Sequence, residues 1–286
     1  MFRFINNAKT AMLLATLMAL FVVIGSRFGG PHGIILALMF GGVMNLVAYF
    51  YSDKIALATM RAQPLDERQA PEIYAIVREL AAKANLPMPR VYIAPTTTPN
   101  AFATGRNPEH AVVCLTSGIV QMLGRNELAG VIAHELAHVK NYDILISSVA
   151  ATVAGAISAL GYLLWFVPIG SSDNRRGNPF AALAMIILAP IAAALIQASI
   201  SRKREYNADS YGAELVGDPM PLALALEKLE HGNKRYPMAL ANPNQANMFI
   251  VEPFSGQGLV GLFATHPRVT KRVEKLIGRE KTGLVY

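Results

Sequence analysis

Two histidines stand four residues apart, with a glutamate directly after the first, in the segment VIAHELAHVK that covers residues 131–140. Residues four apart on a helix lie one turn above each other, so His134 and His138 can direct both imidazoles at one ion. Glu135 points about 100° around the same helix, where it can act as general base on a metal-bound water. Zinc lowers the pKa of such a water toward about 7 and polarises a scissile carbonyl. These three residues predict a zinc hydrolase.

A catalytic zinc site also needs a third protein ligand and one open position. The best candidate is Glu205 in the segment RKREYNADSYGAE, and Asp209, one helical turn later, is suited to orient a histidine ring. The spacing equally allows both carboxylates to pair with neighbouring basic side chains on a solvated helix face. The remaining histidines are His32, His110, His231 and His266. His32 lies at the edge of an apolar run, and we expect His110 and His231 to be solvated.

Four uncharged runs interrupt the chain, at residues 10–26, 31–52, 144–172 and 178–201. Only 16% of the 286 residues are charged, against about 25% in an ordinary soluble domain. A helix of about 20 apolar residues crosses a bilayer, so the runs predict four transmembrane segments. A cleaved signal peptide is the alternative for the first run. Because the residues around Arg27 form a poor cleavage site and a second apolar run follows at once, a membrane anchor is favoured.

The distribution of basic residues predicts that the amino terminus and the catalytic sequence face the cytoplasm. With four spans, only Arg27, Arg175 and Arg176 of the 26 lysines and arginines lie outside, as the positive-inside rule favours. The same rule accounts for the net charge of +7 without a nucleic-acid partner. Arg175 and Arg176 lie in a short loop where such charges should be scarce, so a hairpin that does not fully cross is an open alternative for residues 144–201. Because the histidine pair precedes this hairpin and Glu205 follows it, both its ends must lie on one side.

The soluble sequence divides into two blocks that are too short to be independent domains. Pro71 marks a helix start, and Asn126 is a good cap for the helix that carries the histidines. The segments PRVYIA, AFATG and AVVCL are typical of short strands. The turn signal GRNPE joins the last two strands and predicts a hairpin.

The motifs HELAH, EYNAD and THP occur in the order and separation seen in the HtpX family of membrane-bound zinc metalloproteases, which the whole chain resembles. This family is related to the CAAX prenyl proteases. The resemblance implies that His134, His138 and Glu205 bind one zinc ion and that Glu135 is the catalytic base. It also implies that Asp209 supports the metal site by contacting a metal ligand rather than the metal itself.

Two further regions are assigned by the same resemblance. His266 and Arg272 match positions that lie near metal and substrate in relatives, where a cation or an imidazole can stabilise an oxyanion. The segment NAFATG resembles the family's edge strand above the zinc, and an exposed strand edge can pair with an extended peptide. The implied substrate-binding residues are Asn100, Ala101, Phe102 and Ala103, with Phe102 filling a pocket. From the residues alone, an ordinary hairpin strand is the simpler interpretation.

We therefore predict an α+β, mainly helical fold. A zincin-like metalloprotease domain is joined to about four transmembrane helices and carries a small edge-strand hairpin over the site. The predicted organisation is an N-terminal membrane hairpin at 1–51, the first part of the catalytic domain at 52–143, a second membrane hairpin at 144–201, and the second part of the catalytic domain at 202–286.

The predicted function is that of a multi-pass zinc endopeptidase of the bacterial inner membrane with a cytoplasmic catalytic domain. Its expected partners are the lipid bilayer and membrane-protein or unfolded polypeptide substrates. A role in quality control and stress response follows from the resemblance alone. Two alternatives remain open. One is a CAAX-type protease that processes lipidated carboxy termini, although relatives with that activity have more membrane segments. The other is a non-enzymatic membrane receptor in which the histidine pair is incidental.

Overall fold

The computed structural model describes residues 2–166, 201–235, 249–251, 267–279 and 282. Its first element is the long apolar helix α1 (Phe2–Thr59), which is broken at Gly30, where φ is 53° and ψ is −139°. A residue with a Cβ rarely adopts this backbone conformation, whereas glycine does so readily. The break divides α1 into two arms, Phe4–Arg27 and Gly29–Thr59, each long and apolar enough to cross a membrane.

The surface of the second arm is unlike that of a soluble protein. Large apolar side chains point outward along it, namely Leu36, Met39, Phe40, Val43 and Leu46. A contiguous exposed apolar surface of this kind needs a nonpolar covering, and lipid chains provide one. The helix α5 (Asp143–Phe166) packs against the first arm, with Leu145, Val149 and Val153 against Leu13 and Leu17.

The structure bears on only part of the predicted membrane topology. The two arms of α1 agree with the first two predicted spans. α5 (Asp143–Phe166) covers the first part of the third predicted span, and residues 167–200 lie outside the described part of the chain. Four spans and the predicted domain boundaries therefore stay predictions.

A four-stranded sheet carries the predicted hairpin at one edge. The strands are β1 (Gln63–Pro64), β2 (Arg90–Ala94), β3 (Ala101–Thr104) and β4 (Val112–Thr116). Their order in the sheet is β1-β2-β4-β3, with β2 and β4 parallel and the other pairs antiparallel. The hairpin prediction is confirmed, because β3 and β4 pair with Phe102 opposite Cys114. Among the described strands, β3 lies at an edge of the sheet, as expected.

The remaining helices of the described chain are α2 (Pro71–Lys83), α3 (Ser117–Met122), α4 (Arg125–Lys140), α6 (Arg202–Val216), α7 (Met220–Arg235) and α8 (Val269–Ile277). Of these, α2, α6 and α7 pack against α4. Leu128, Ile132, Leu136 and Val139 of α4 are buried in the main core. A helix buried on several sides has no solvated face, and α4 contributes both histidines from this rigid position.

The amino-terminal cap of α4 differs from the prediction. Gly124 occupies the N-cap position, and Asn126 lies inside the first turn. The side chain of Glu127 accepts a hydrogen bond of 2.9 Å from the Gly124 backbone N–H. Because glutamate at the third helical position satisfies this donor, the helix starts two residues earlier than an asparagine cap would require.

Candidate metal centre

Three side chains converge where α4 and α6 cross. His134 Nε2 and His138 Nε2 lie 3.2 Å apart, and the Glu205 carboxylate oxygens lie 3.8 Å and 3.6 Å from them, respectively. Donor atoms of a tetrahedral zinc site, with bonds of about 2.0–2.1 Å, lie roughly 3.3 Å from one another. The spacing and the two-imidazole, one-carboxylate donor set therefore fit a divalent metal such as zinc. Within the described ranges, this is the single cluster of its kind.

The close approach of α6 to α4 depends on a small residue. A Cβ added at Gly212 would lie 2.9 Å from the backbone nitrogen of His134, so a larger side chain would separate the two helices. This packing brings the first turn of α6, and with it Glu205, to the face of α4 that carries the histidines. The amino-terminal end of a helix is electropositive, which favours a carboxylate in its first turn.

A carboxylate lies next to the second nitrogen of each imidazole ring. Asp209 Oδ1 lies 3.0 Å from His134 Nδ1, and Asp143 Oδ2 lies 3.1 Å from His138 Nδ1. A ring N–H donated to a carboxylate fixes the tautomer and leaves Nε2 as the metal donor. The position of Asp209 agrees with its expected role.

Asp143 was missed by the sequence reasoning. A signal was present, because Asp143 is a lone acid at the start of a predicted membrane run. The chain leaves α4 at Lys140 and turns through Tyr142, whose φ is 59°. This left-handed residue starts α5 in a new direction, and it returns Asp143 to the side of His138.

Arg272 supports the same centre through Asp209. Its Nε and Nη2 donate hydrogen bonds of 2.8 Å and 2.6 Å to the two Asp209 oxygens, and Nη1 donates to the Ile250 carbonyl at 2.6 Å. Burial raises the pKa of Asp209, but the adjacent Arg272 charge outweighs it and holds the pKa at about 2. Arg272 is fully buried and does not line the cavity beside the metal ligands. The structure thus brings Arg272 to the site, behind Asp209 rather than next to the open cavity.

Glu135 lies between the ligands and the edge strand. Its Oε2 accepts a hydrogen bond of 2.8 Å from the Ala103 backbone N–H. Asn100 pairs with Thr116 through the backbone, so alternate residues of β3 bond to β4, and the backbone groups of Ala101 and Ala103 face away from β4. Glu135 therefore lies next to the strand that was expected to bind substrate.

The cavity at this edge holds about 40 Å³. A water needs about 10–15 Å³ of such space, so there is room for one beside Glu135. Ala101, Phe102 and Ala103 line the cavity together with Phe249 and Ile250. Asn100 is buried, and its Oδ1 accepts a hydrogen bond from the Ile250 N–H at 3.1 Å. The side chain of Phe102 packs in a cluster with Cys114 and Phe249.

Three further histidines, His110, His231 and His266, are candidates from the sequence. His266 lies outside the described residues. His110 contacts Asn107 and Arg106 at the exposed turn of the hairpin, and His231 Nδ1 contacts the Glu227 carbonyl. Neither belongs to the metal cluster.

The site and the apolar helices define the class of membrane metalloproteases. The chain belongs to peptidase family M48, whose sequence model matches residues 67–280. Similar curated proteins are the Protease HtpX homologs of Burkholderia ambifaria and Burkholderia cenocepacia, each 51% identical over 280 residues, which is 97% of this chain and 98% of the relative. The homolog of Burkholderia mallei is 50% identical over the same span. These findings confirm the resemblance to the HtpX family.

A solved structure shares the fold. The crystal structure of Ste24p from S. mikatae matches with a TM-score of 0.50 and 18% sequence identity. The match covers 96% of this chain and 66% of the longer Ste24p chain, so this chain spans just under two thirds of that protein.

Proposed function

We propose that this chain is a zinc-dependent endopeptidase of a bacterial inner membrane, with its site on the cytoplasmic face. The observation that carries the proposal is the convergence of the His134, His138 and Glu205 donors beside Glu135. One zinc ion per chain is expected, because the described residues contain one such cluster.

Each polar side chain then has a chemical role. Zinc at the three donors would lower the pKa of a water toward about 7 and polarise a peptide carbonyl. Glu135 would accept a proton from the attacking water and return it to the leaving amine. The Ala103 amide fixes the direction of the Glu135 carboxylate. Burial raises the pKa of Glu135, which brings proton uptake and release closer to neutral pH.

The roles of the two remaining sequence candidates differ. We propose that Arg272 is a positioning residue, because its hydrogen bonds run to Asp209 and the Ile250 carbonyl. His266 is proposed to stabilise the oxyanion on the resemblance alone.

The edge of β3 that faces away from β4 supports a polypeptide substrate. An extended peptide can pair with the outward N–H of Ala101 and with the outward C=O groups of Ala101 and Ala103, while the Ala103 N–H is bonded to Glu135. Such pairing tolerates many side-chain sequences. The hydrogen bond between the Asn100 side chain and the Ile250 N–H would hold the start of β3 in place. Phe102 would form an apolar surface next to the substrate, together with Phe249. We therefore propose that the substrates are unfolded segments of membrane proteins or other unfolded polypeptides, in a quality-control and stress-response role. Cleavage of a denatured protein, with its folded form resistant, is the expected result.

The predicted arrangement in the membrane is part of the proposal. The first two spans lie in α1, a second hairpin covers residues 144–201, and the catalytic domain combines residues 52–143 with 202–286. The packing of α6 against α4 supports an even number of crossings between them. Labelling of a cysteine introduced at Ser172 tests full crossing. A membrane-impermeant reagent added outside should react with it, and Cys114 gives little background because it is buried.

The substitution Glu135→Gln tests the mechanism. It should reduce kcat by at least about 100-fold, because a general base contributes about 10²–10⁴ to the rate. Zinc content should stay at one per chain, since Glu135 is not a proposed ligand. The matched control is Glu214→Gln on the exposed side of α6, which should keep wild-type activity. Wild-type cleavage by Glu135→Gln would contradict the mechanism.

The same assay tests the CAAX-type alternative. A prenylated peptide should be cleaved no faster than its unprenylated counterpart. A strong preference for the prenylated form would replace unfolded polypeptides with lipidated carboxy termini as the substrate class.

A further inference from the structure

An asparagine near the start of the first membrane arm contacts the support of the metal centre. Asn6 lies in α1 and is only 3% exposed. Its Nδ2 donates to Asp143 Oδ1 at 2.8 Å and lies 3.3 Å from the carbonyls of Asn141 and Tyr142. Its Oδ1 accepts a hydrogen bond of 3.0 Å from Arg204 Nη1. A buried polar side chain in a membrane helix is costly, and these partners compensate for it.

The two partners of Asn6 belong to the two segments that carry the metal ligands. Asp143 contacts Nδ1 of His138 with its other oxygen. Arg204 directly precedes Glu205 in the first turn of α6. Arg204 Nη1 also lies 3.3 Å from Asp143 Oδ1, which closes a small network of three side chains. Asn6 is thus one residue removed from His138 and from Glu205.

The chemistry at this position suits an amide. The amide NH₂ donates to a carboxylate while the amide oxygen accepts from a guanidinium. An aspartate would place a second carboxylate against Asp143, and a leucine would satisfy neither partner. Occupation of Asp143 Oδ1 by Asn6 and Arg204 leaves Oδ2 for His138 and thereby restricts the rotation of the carboxylate.

The packing of α1 determines where Asn6 lies. Leu13 and Leu17, further along the same arm, are buried against Leu145 and Val149 of α5. Thr10 is also buried, and its hydroxyl donates to the Asn6 carbonyl at 2.9 Å. Apolar packing between the two membrane helices therefore holds Asn6 at the start of α5, next to Asp143.

We propose that Asn6 is a positioning residue of the metal centre, so that the first membrane arm is required for tight metal binding as well as for anchoring. The inference rests on the proposed function insofar as it assumes that His134, His138 and Glu205 bind the metal. Asn6 acts through Asp143 on the His138 ring and through Arg204 on the start of α6. It makes no contact with the metal itself.

The experiment uses the full chain in lipid nanodiscs and compares Asn6→Leu with Asn7→Leu. Asn7 is the neighbouring asparagine, and it is exposed. Zinc affinity is measured by competition with a chelator, and Co²⁺ is used as a probe of ligand geometry through its visible absorption. We expect Asn6→Leu to weaken zinc binding by about 10–100-fold, as loss of outer support around a ligand does, and to change the Co²⁺ spectrum. Asn7→Leu should match the wild type in both measurements.

A purely structural role is separated by thermal unfolding with and without zinc. Structural damage lowers Tm of the metal-free and zinc-loaded forms equally, whereas weaker metal binding reduces the increase in Tm that zinc causes. We expect a reduced increase for Asn6→Leu. If this variant does not fold, Asn6→Asp, which keeps the shape and places a carboxylate against Asp143, decides by the same measurements.

Two results distinguish this inference from the proposed function. Wild-type zinc affinity and an unchanged Co²⁺ spectrum in the folded Asn6 variant would overturn the role of Asn6 alone. The proposed metal site would be contradicted if the wild-type protein did not bind zinc. It would also be contradicted if the Glu205→Ala variant bound zinc as well as the wild type does.

Discussion

His134 and His138 present the same ring nitrogen to the candidate metal, but different parts of the molecule support them. Behind His134, Asp209 and Arg272 come from α6 and α8. Behind His138, Asp143 lies at the start of α5, with Asn6 of the first membrane arm and Arg204 of α6. Each ring thus contacts a carboxylate, and each carboxylate contacts a cationic side chain.

The two supports differ in burial and in charge compensation. The side chain of His134 is 1% exposed, and that of His138 is 16% exposed. Arg272 binds both oxygens of Asp209, whereas Asp143 shares its Oδ1 between an amide and a guanidinium at 3.3 Å. On the His134 side, Asp209 and Arg272 therefore form a buried ion pair with two hydrogen bonds. On the His138 side, a polar cluster joins the first arm of α1, the start of α5 and the first turn of α6. We expect damage to the first to reduce stability most, and damage to the second to reduce metal affinity.

Removal of Arg272 should have the largest effect. Arg272→Leu leaves Asp209 buried without its cation, which costs about 3–5 kcal/mol of unfolding free energy. Thermal or denaturant unfolding of the metal-free protein measures this loss. Arg268→Leu is the matched control, because Arg268 is exposed at the start of α8 and should change stability by at most about 0.5 kcal/mol. Equal effects of the two substitutions would show that the Asp209–Arg272 pair does not stabilise the fold.

The two carboxylates give the next largest effect and compare the supports directly. Asp143→Asn and Asp209→Asn should each weaken zinc binding by about 10–100-fold, because each removes the anionic acceptor of a ligand ring. Asp209→Asn should also lower stability, since it leaves the Arg272 charge buried without its partner. Asp143→Asn should lower stability less, because Arg204 keeps its hydrogen bond to the Asn6 side chain when the Asp143 charge is removed. Chelator competition and unfolding of the metal-free variants measure the two quantities separately.

The same comparison explains what the sequence could predict. His134, Glu135 and His138 follow from local helical spacing, and Asp209 follows from its position one turn after Glu205. The hairpin of β3 and β4 follows from two short apolar segments and a turn signal. The contact between Asp143 and Asn6 could not be found in this way. They lie 137 residues apart, and only the packing of α1 on α5 brings them together.

Arg272 shows a second limit of sequence reasoning. The resemblance implies a position near metal and substrate, and in the structure Nη2 lies 3.4 Å from His134 Nδ1. Whether Arg272 points toward the substrate or toward Asp209 depends on the side of the His134 ring from which α8 approaches. The spacing of the motifs along the chain does not predict that side.

The smallest expected effect concerns protons on the His138 side. Burial lowers the pKa of His138, but the Glu205 and Asp143 carboxylates outweigh it and raise the pKa to about 9 in the metal-free protein. His138 is then protonated at neutral pH, so zinc must displace its proton. The apparent zinc affinity should therefore rise about tenfold per pH unit below pH 9 and level off above it.

Calorimetry tests this proton displacement. Titrations with zinc at about pH 7.5, in two buffers with different ionisation enthalpies, should report release of about one proton from His138. Asp143→Asn should reduce the number of protons released, because it removes one of the carboxylates that raise the pKa of His138. Asp209→Asn should leave that number closer to the wild-type value, since Asp209 contacts the other ring. If both variants changed the number of released protons equally, Asp143 and Asp209 would influence the pKa of His138 to the same extent, and the two histidines would not have separate electrostatic environments.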